Sequence, residues 1–150
     1  RAGAKIKIDK NKIFIKGPEK IKSIKSIKTK EFPGIPTDLQ AQLMVLMCKA
    51  NGKSTITESI FENRFMHVGE LQRLGAIINI KNNKASINGN TKFVGAELMS
   101  SDLRASVALV LASIVSDGKS YINRIYHLDR GYENIEKKLS SCGAYIKRLK

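Results

Sequence analysis

The same order of predicted elements occurs twice along the chain, and this internal repeat constrains the fold more than any other feature. Residues 32–92 contain an apolar helix, a strand, an amphipathic helix and a hairpin, and residues 93–150 follow that order as far as a strand beginning at 144–146. Matching residues recur at nearly constant separation: Asp38 and Asp102, Arg64 and Arg130, Gly75 and Gly143. This alternation predicts an α/β protein built from βαβαββ units.

The first helix of each copy is apolar on nearly every side, so we expect both to be buried beneath strands. In the first copy this helix begins after Pro36, where Thr37 followed by Gln40 predicts a capping box, and it ends near Asn51. Apolar residues at helical spacing predict the second helix over residues 63–74.

The first thirty residues contain a predicted β-hairpin. Lysine and isoleucine alternate over residues 5–8 and again over 12–16, with polar residues between them. A period of two predicts strands with one buried face and one solvated face. Because residues 2–6 resemble the glycine-containing segments that end the second helices of both copies, we interpret 1–31 as the closing hairpin of a third, truncated copy. We therefore expect the chain to be a fragment.

Positive charge is concentrated in this hairpin segment. Residues 1–30 hold eleven basic side chains and two acidic ones, which gives +9 of the net charge of +14. A basic patch can bind nucleic acid or an anionic surface. Specific recognition of nucleic acid usually recruits arginine and stacking aromatic residues, and this segment offers only Arg1 and Phe14. We expect a solvated strand face and no nucleic-acid partner.

The sequence argues against several classes of protein. The apolar run over residues 107–112 is far shorter than the roughly 20 residues that span a bilayer, so we expect no membrane association. Cys48 and Cys142 form no CxxC pair, which predicts two buried thiols in a reducing, cytoplasmic compartment. His67 and His127 are not spaced as metal ligands, so we expect no metal and no cofactor.

Candidate functional residues are predicted at the helix starts. Helix N-termini attract anions, and a guanidinium group can hold phosphate or carboxylate with two hydrogen bonds. If the two copies pack side by side, one end of the molecule would gather Asp38, Asp102, Arg64, Arg104 and Arg130. That set suits a phosphorylated substrate and a carboxylate that accepts a proton from a hydroxyl. In the alternative interpretation, the aspartates only cap helices and the arginines only pair with them.

Four ordered motifs carry a family resemblance. Residues 33–42 read PGIPTDLQAQ and residues 60–68 read IFENRFMHV, followed by SDLRAS at 101–106 and RIYHLDRGYE at 124–133. In these motifs the chain resembles the UDP-N-acetylglucosamine enolpyruvyl transferases, and the likeness covers essentially its whole length.

The resemblance implies a cytoplasmic enzyme with two domains, each an inside-out α/β barrel of three βαβαββ units. This chain would form part of one domain: the hairpin 1–31 and the repeats 32–92 and 93–150. The family transfers the enolpyruvyl group of phosphoenolpyruvate to the 3-hydroxyl of UDP-N-acetylglucosamine and releases phosphate. This reaction belongs to bacterial peptidoglycan synthesis, and fosfomycin inhibits it. The other partner implied is the N-terminal domain of the same polypeptide.

The resemblance also implies roles for individual residues. Asp38 would contact the sugar hydroxyl and accept its proton, and Ile60 would contact the uridine nucleotide through its backbone. Arg130 would hold phosphoenolpyruvate. The other implied residues would line the cleft, and they are Arg64, Asp102 and Arg104. Of these, Asp102 would assist proton transfer.

Departures from the family pattern limit what this chain could do alone. The reactive cysteine loop of the family has no counterpart here, and neither Cys48 nor Cys142 matches it. We therefore expect the isolated chain to be inactive. Gly69 replaces a usual proline but touches no implied contact.

Three other interpretations remain open at this stage. The chain could belong to the shikimate-pathway enolpyruvyl transferases, which share the fold. It could instead be a non-catalytic basic binding module. It could also self-associate through exposed strand edges.

Overall fold

The computed structural model describes residues 1–149, whose strands form three separate sheets. The strands are β1 (Lys5–Asp9), β2 (Lys12–Lys16), β3 (Ile27–Lys28), β4 (Lys53–Thr57), β5 (Ile77–Lys81), β6 (Lys84–Asn88), β7 (Glu97–Met99) and β8 (Tyr121–Asn123). The helices are α1 (Gln40–Lys49), α2 (Val68–Arg73), α3 (Leu103–Ile114), α4 (Tyr126–Asp129) and α5 (Ile135–Ser141). The prediction of an α/β chain is confirmed, and the described strands do not close into a barrel.

The N-terminal hairpin forms as predicted, but neither of its faces is buried. β1 and β2 pair antiparallel, with Ile6 opposite Ile15 and Ile8 opposite Ile13. Cross-strand partners share a face, so these four side chains form one apolar surface. They are 61–76% exposed because β1 and β2 form a sheet of their own that no other described element covers. The prediction of one buried face is therefore wrong for this structure.

The first repeat contains the complete βαβαββ unit. Its sheet has the order β3-β4-β6-β5, with β3 parallel to β4 and the other neighbours antiparallel. β3 lies at Ile27–Lys28, so the unit begins inside the segment that sequence analysis gave to the hairpin. Register places Ile56 opposite Ala85 and Ile78 opposite Ile87, and all four side chains are buried. Their shared face packs against α1, as expected for an apolar helix under a sheet.

The second helix of this repeat is shorter than its hydrophobic spacing predicts. α2 covers only Val68–Arg73, and the preceding residues 62–67 form turns. Asn63 has a φ of 54°, a left-handed conformation that asparagine tolerates, so the helix cannot begin at this residue. In the second repeat, Asn134 has a φ of 46° and separates α4 from α5.

The second repeat is less complete than the first. β7 and β8 pair parallel, and α3 and α4 pack against each other. The predicted strand beginning at residues 144–146 is absent, because no described segment supplies a hydrogen-bonding partner for it. Instead, Arg148 binds the carboxylates of Asp129 and Glu136, and Tyr145 is exposed.

One shared core joins the two repeats and sets the position of the site. α1 packs directly against α3, with Met44, Met47 and Leu109 completely buried. The prediction that the first helix of each copy is buried is therefore confirmed. Because the two helices start at the same end of the core, residues that precede them lie side by side. Within residues 1–149, no helix has the length and apolar character needed to cross a membrane.

Candidate active site

Asp38 and Arg104 connect the two repeats at the helix starts. Asp38 is the middle residue of the 3-10 turn Thr37–Leu39 that precedes α1, and Arg104 is the second residue of α3. Arg104 Nε donates a hydrogen bond to Asp38 Oδ1, forming a salt bridge. Both side chains are substantially exposed, at 60% for Asp38 and 39% for Arg104. A diffusing substrate can therefore reach either charge.

Asp102 caps α3. Its Oδ1 accepts hydrogen bonds from the backbone N–H groups of Arg104 (2.9 Å) and Ala105 (3.1 Å), and its Oδ2 accepts one from the Ser101 hydroxyl (3.1 Å). Burial alone would raise the pKa of Asp102, but these three hydrogen bonds and the neighbouring His67 lower it. Asp102 is therefore a charged N-cap, which agrees with the capping interpretation of this residue.

Asp38 does not cap its helix. The 3-10 turn and α1 have no side-chain cap, and the predicted capping box between Thr37 and Gln40 is wrong. The Thr37 hydroxyl donates instead to Glu58 Oε2 at 2.9 Å. Consequently, no backbone N–H group of residues 1–149 donates to the Asp38 carboxylate.

A small pocket of about 30 Å³ lies between the starts of α1 and α3 and the turn before α2. Arg64, Asp102 and Arg104 line it, together with Gln40 and His67. The structure thus gathers three predicted site residues in one pocket, and Asp38 is bonded to one of them. Arg64 lies with its guanidinium carbon 4.4 Å from the centre of the Phe61 ring. That contact leaves its N–H groups without an acidic partner among the described residues.

Two buried polar groups in this pocket lack a hydrogen-bond partner within residues 1–149. They are Gln40 Nε2 and His67 Nε2, on side chains that are 2% and 3% exposed. Burial lowers the pKa of His67 to about 4, although Asp102 and the backbone of Arg64 act in the opposite direction. His67 is therefore neutral at pH 7. An unpaired polar group in a protein interior is costly, so both atoms remain available to a bound group.

Arg130 lies beside α3 but outside the pocket lining. It follows α4 directly, so it ends a helix and does not begin one, contrary to the prediction. Gly131 packs so tightly on Leu103 that a Cβ there would lie 2.9 Å from Leu103 Cδ2. The adjacent carboxylate of Asp129 is occupied by Arg148, through hydrogen bonds of 3.0 and 2.6 Å. Arg130 is exposed and has no salt bridge with a described residue.

Ile60 lies in the loop that follows β4, and its backbone N–H donates to Glu58 Oε1 at 2.8 Å. The Ile60 carbonyl accepts no hydrogen bond from residues 1–149. Of its two backbone polar groups, only the carbonyl is thus without a partner within residues 1–149.

Glu58 is a component of this region that sequence analysis missed. The side chain is 2% exposed, and it connects the Ile60 loop to Thr37. No periodic pattern or motif singles out this residue, since a glutamate after a polar strand usually lies at the surface. The only signal in the sequence was its position two residues before the family motif IFENRFMHV, which begins at Ile60.

The two cysteines have different environments. Cys48 is buried in α1, and burial raises the pKa of its thiol to about 12, which makes it unreactive. Cys142 is exposed at the end of α5, so the prediction of two buried thiols is wrong for this residue. The amphipathic stripe places it on the apolar side of α5, but no described segment covers that end of the helix. The described residues contain no cluster of potential metal ligands.

Comparisons with known proteins agree with this architecture. The family model for EPSP synthase (3-phosphoshikimate 1-carboxyvinyltransferase) matches residues 1–139. The UDP-N-acetylglucosamine 1-carboxyvinyltransferase of Pelagibacter ubique (strain HTCC1062) is 64% identical over 149 residues, which are 99% of this chain and 36% of that relative. The same enzyme of Geotalea daltonii (strain DSM 22248 / JCM 15807 / FRC-32) is 55% identical over 148 residues, covering 99% of this chain and 35% of the relative. The chain thus spans about a third of the length of these relatives.

Solved structures show the same fold. The enolpyruvyl transferase NikO from Streptomyces tendae superposes with a TM-score of 0.89 at 26% identity, over 98% of this chain and 34% of that one. EPSP synthase from Acinetobacter baumannii superposes with a TM-score of 0.73 at 15% identity, over 99% of this chain and 35% of that one. The resemblance and the fold inferred from sequence are confirmed. The chain belongs to the EPSP synthase family, and within it is similar to the UDP-N-acetylglucosamine 1-carboxyvinyltransferases.

Proposed function

We propose that this chain supplies one wall of an active site that transfers the enolpyruvyl group of phosphoenolpyruvate to the 3-hydroxyl of UDP-N-acetylglucosamine. The observation that carries the proposal is the Asp38–Arg104 pair, which lies exposed beside a pocket containing Arg64 and Asp102. The names of the curated relatives supply the substrates. The process served would be peptidoglycan synthesis, in the cytoplasm.

Asp38 is the residue best suited to accept the proton. In the net reaction the sugar oxygen bonds to C2 of phosphoenolpyruvate, the bond between C2 and the phosphate oxygen breaks, and phosphate leaves. The hydroxyl proton must go to a base within hydrogen-bond reach. Asp38 is exposed and makes no bond to backbone N–H groups, whereas Asp102 is engaged as a cap.

The arginines suit the charges of phosphoenolpyruvate, which carries a carboxylate and a phosphate. Arg64 and Arg104 converge on the pocket at the start of α3, where their guanidinium groups favour an anion. Arg130 has no acidic partner within residues 1–149, so its planar fork can bind a phosphoryl or carboxylate group. Asp102 would assist proton transfer, and the Ile60 carbonyl would bind the nucleotide.

UDP-N-acetylglucosamine is favoured over shikimate phosphate as the acceptor. Curated relatives that are 51–64% identical over 99% of this chain all carry the UDP-sugar name. Likeness to EPSP synthase rests on the family model and on a fold shared at 15% identity. The chain spans about a third of its relatives, so we propose that the reactive cysteine loop and the opposite wall belong to other parts of the enzyme, including an N-terminal domain.

A hybrid enzyme tests this function directly. In it, the 150 residues replace the matching third of the Pelagibacter ubique relative, and phosphate release is measured with phosphoenolpyruvate and either UDP-N-acetylglucosamine or shikimate 3-phosphate. We expect UDP-sugar-dependent release, and a loss of about 10² to 10⁴ in turnover when Asp38→Asn removes the base. The matched control is Asp117→Asn, which lies beyond the opposite end of α3.

Three results would contradict the proposal: a hybrid enzyme without transfer, transfer that prefers shikimate 3-phosphate, or an Asp38→Asn variant as active as its parent. We expect the isolated 150 residues to show no transfer. Salt-dependent binding of this isolated chain to DNA or RNA, without binding to UDP-N-acetylglucosamine, would favour the basic binding module instead.

A further inference from the structure

Glu58 is a buried carboxylate that follows β4 and accepts four hydrogen bonds. Its Oε1 accepts from the Thr29 hydroxyl (2.8 Å) and from the N–H groups of Ile60 (2.8 Å) and Phe61 (3.2 Å). Its Oε2 accepts from the Thr37 hydroxyl (2.9 Å). The side chain is 2% exposed. Both oxygens are thus committed, to different segments of the chain.

The negative charge of Glu58 is balanced by hydrogen bonds alone. No lysine, arginine or histidine of residues 1–149 forms a salt bridge with it. Burial by itself would raise the pKa of Glu58, but the bonds from Ile60, Thr29, Phe61 and Thr37 together lower it. A carboxylate with several well-placed donors keeps its charge in the interior, and each donor is held firmly in return.

One oxygen fixes the loop after β4. The Ile60 and Phe61 N–H groups converge on Oε1, so the loop must turn inward at these residues. The base of the loop is held by a reciprocal pair of bonds, from Glu58 N–H to the Asn83 carbonyl (2.9 Å) and from Asn83 Nδ2 to the Glu58 carbonyl (3.0 Å). This arrangement leaves the Ile60 carbonyl without a hydrogen bond from any residue that the structure describes.

The other oxygen fixes the turn that carries Asp38. Thr37 is the first residue of the 3-10 turn, and its hydroxyl bond to Oε2 is the side-chain anchor of a turn that lacks a cap. Asp38 is the next residue. A single carboxylate therefore sets the distance between the Ile60 backbone and Asp38, which approach the site from different parts of the first repeat.

We propose that Glu58 is a positioning residue for the nucleotide-sugar. It holds the backbone that would bind the nucleotide and the carboxylate that would meet the sugar hydroxyl at a fixed spacing. This inference rests on the proposed function, because Ile60 and Asp38 matter together only if one acceptor substrate contacts both. Glu58 acts through these two residues and does not touch the substrate itself.

The test compares two substitutions of Glu58 in the hybrid enzyme. Glu58→Ala removes both anchors, and we expect KM for UDP-N-acetylglucosamine to rise about tenfold or more and kcat to fall several-fold, with KM for phosphoenolpyruvate changed by less than about threefold. Glu58→Gln should restore KM for the UDP-sugar to within about threefold. Its amide oxygen can accept the bonds made to Oε1, and its NH₂ group can donate to the Thr37 hydroxyl.

A single-anchor variant protects the test if Glu58→Ala fails to fold. Thr37→Val removes only the bond to the Asp38 turn, and we expect a lower kcat with a smaller change in either KM. The matched control is Ser54→Ala, which removes a buried hydroxyl that bonds the Ile24 N–H (3.2 Å) near the other end of β4. Its effect should be confined to stability.

A readout without activity separates this inference from the proposed function. In the 150-residue chain, hydrogen exchange should be slow at the Ile60 and Phe61 amides, fast at both in Glu58→Ala, and slow again in Glu58→Gln. The inference is overturned if those amides exchange alike in all three proteins, if KM for the UDP-sugar is unchanged in Glu58→Ala, or if Glu58→Gln is as impaired as Glu58→Ala. If slow exchange depends on Glu58 while the hybrid enzyme transfers nothing, the proposed function fails and the anchoring by Glu58 stands.

Discussion

Arg104 of the second repeat donates a hydrogen bond to Asp38 of the first repeat, 66 residues earlier in the sequence. The two side chains meet because α1 and α3 pack against each other and start at the same end of the core. Since both are partly exposed, their attraction contributes at most about 1 kcal/mol to folding. A substrate anion can therefore displace Asp38 from the guanidinium at little cost.

Arg104→Lys tests whether the planar fork of this residue binds phosphoenolpyruvate. Lysine keeps the charge but cannot make two parallel hydrogen bonds, so kcat/KM for phosphoenolpyruvate in the hybrid enzyme should fall about tenfold or more. The free energy of unfolding should change by less than about 1 kcal/mol. Arg73→Lys, in the 3.5 Å pair with Glu70 on α2, is the control and should leave kcat/KM unchanged. Equal kinetics in both variants would remove Arg104 from the substrate site.

Arg130→Ala tests the guanidinium that lies outside the pocket lining. Loss of a charge-assisted anion contact should lower turnover of the hybrid enzyme about 10²-fold, measured as phosphate release. The control is Arg124→Ala in the same segment, because Arg124 Nε is already bonded to the Tyr126 hydroxyl at 3.0 Å. Parental kinetics in the Arg130 variant would mean that Arg130 contacts no substrate.

Two substitutions of Asp102 separate its structural role from a chemical one. Asp102→Ala removes the cap of α3 and should lower the free energy of unfolding by about 1 kcal/mol. Asp102→Asn keeps an N-cap oxygen without the charge, so stability should change by less than about 0.5 kcal/mol. If Asp102 assists proton transfer, the asparagine variant should still lose about tenfold or more in turnover. An asparagine variant with parental turnover would make Asp102 a cap only.

His67 should make the chain sensitive to mild acid. Its folded pKa of about 4 lies below the ordinary value of 6.5, so the unfolded state binds the proton more readily between those values. Its contribution to stability is therefore complete above pH 6.5 and is lost as the pH falls towards 4. Denaturant titrations should show a loss of roughly 2–4 kcal/mol over this range.

The matched variants for this acid response are His67→Gln and His127→Gln. The first should abolish most of the loss between pH 6.5 and 4, and the second should retain it. The lowered pKa values of Glu58 and Asp102 act mainly below about pH 4.5, because they are lowered from ordinary values of 4.5 and 3.8. An unchanged acid response in His67→Gln would show that another group causes it.

Thiol labelling tests the environments of the two cysteines. At pH 8 iodoacetamide should modify Cys142, which is exposed, and leave Cys48 intact, because burial raises its pKa to about 12. Mass spectrometry should find one adduct on the folded chain and none on folded Cys142→Ser, with Cys48 labelled only after denaturation. An adduct on Cys48 in the folded chain would contradict its burial.

Much of the fold follows from local sequence patterns. Alternating apolar and polar residues predicted the strands of β1–β2 and β5–β6, and continuous apolar runs predicted α1 and α3. The first pattern is typical of a strand with one buried face, and the second is typical of a helix buried on all sides. Elements that depend on a distant partner were not predictable in this way. The strand expected at residues 144–146 needs a neighbour to bond with, and the buried face expected for β1–β2 needs a covering layer.

The candidate site was likewise predictable from local sequence patterns only in part. The repeat predicted that five residues at helix starts lie together: Asp38, Arg64, Asp102, Arg104 and Arg130. The packing of α1 on α3 joins three of them, Asp38, Asp102 and Arg104. Arg64 reaches the same pocket from the turn before α2, whereas Arg130 ends α4 and lies outside the pocket lining. The capping box failed because Thr37 has a competing acceptor, Glu58, that is 21 residues away in the sequence. Such a side-chain bond between distant segments leaves no mark in spacing or composition. Sequence patterns alone therefore could not identify Glu58 as the residue that holds the loop after β4.

The contact between Gly131 and Leu103 has a consequence for how the guanidinium of Arg130 is placed. A Cβ at position 131 would lie 2.9 Å from Leu103 Cδ2, so a methyl group there would require the Leu103 side chain to shift. The Arg130 side chain is long and exposed, so its position depends on where the adjacent backbone at Gly131 packs. Gly131 thus allows the backbone beside Arg130 to pack closely against the Leu103 side chain in the first turn of α3.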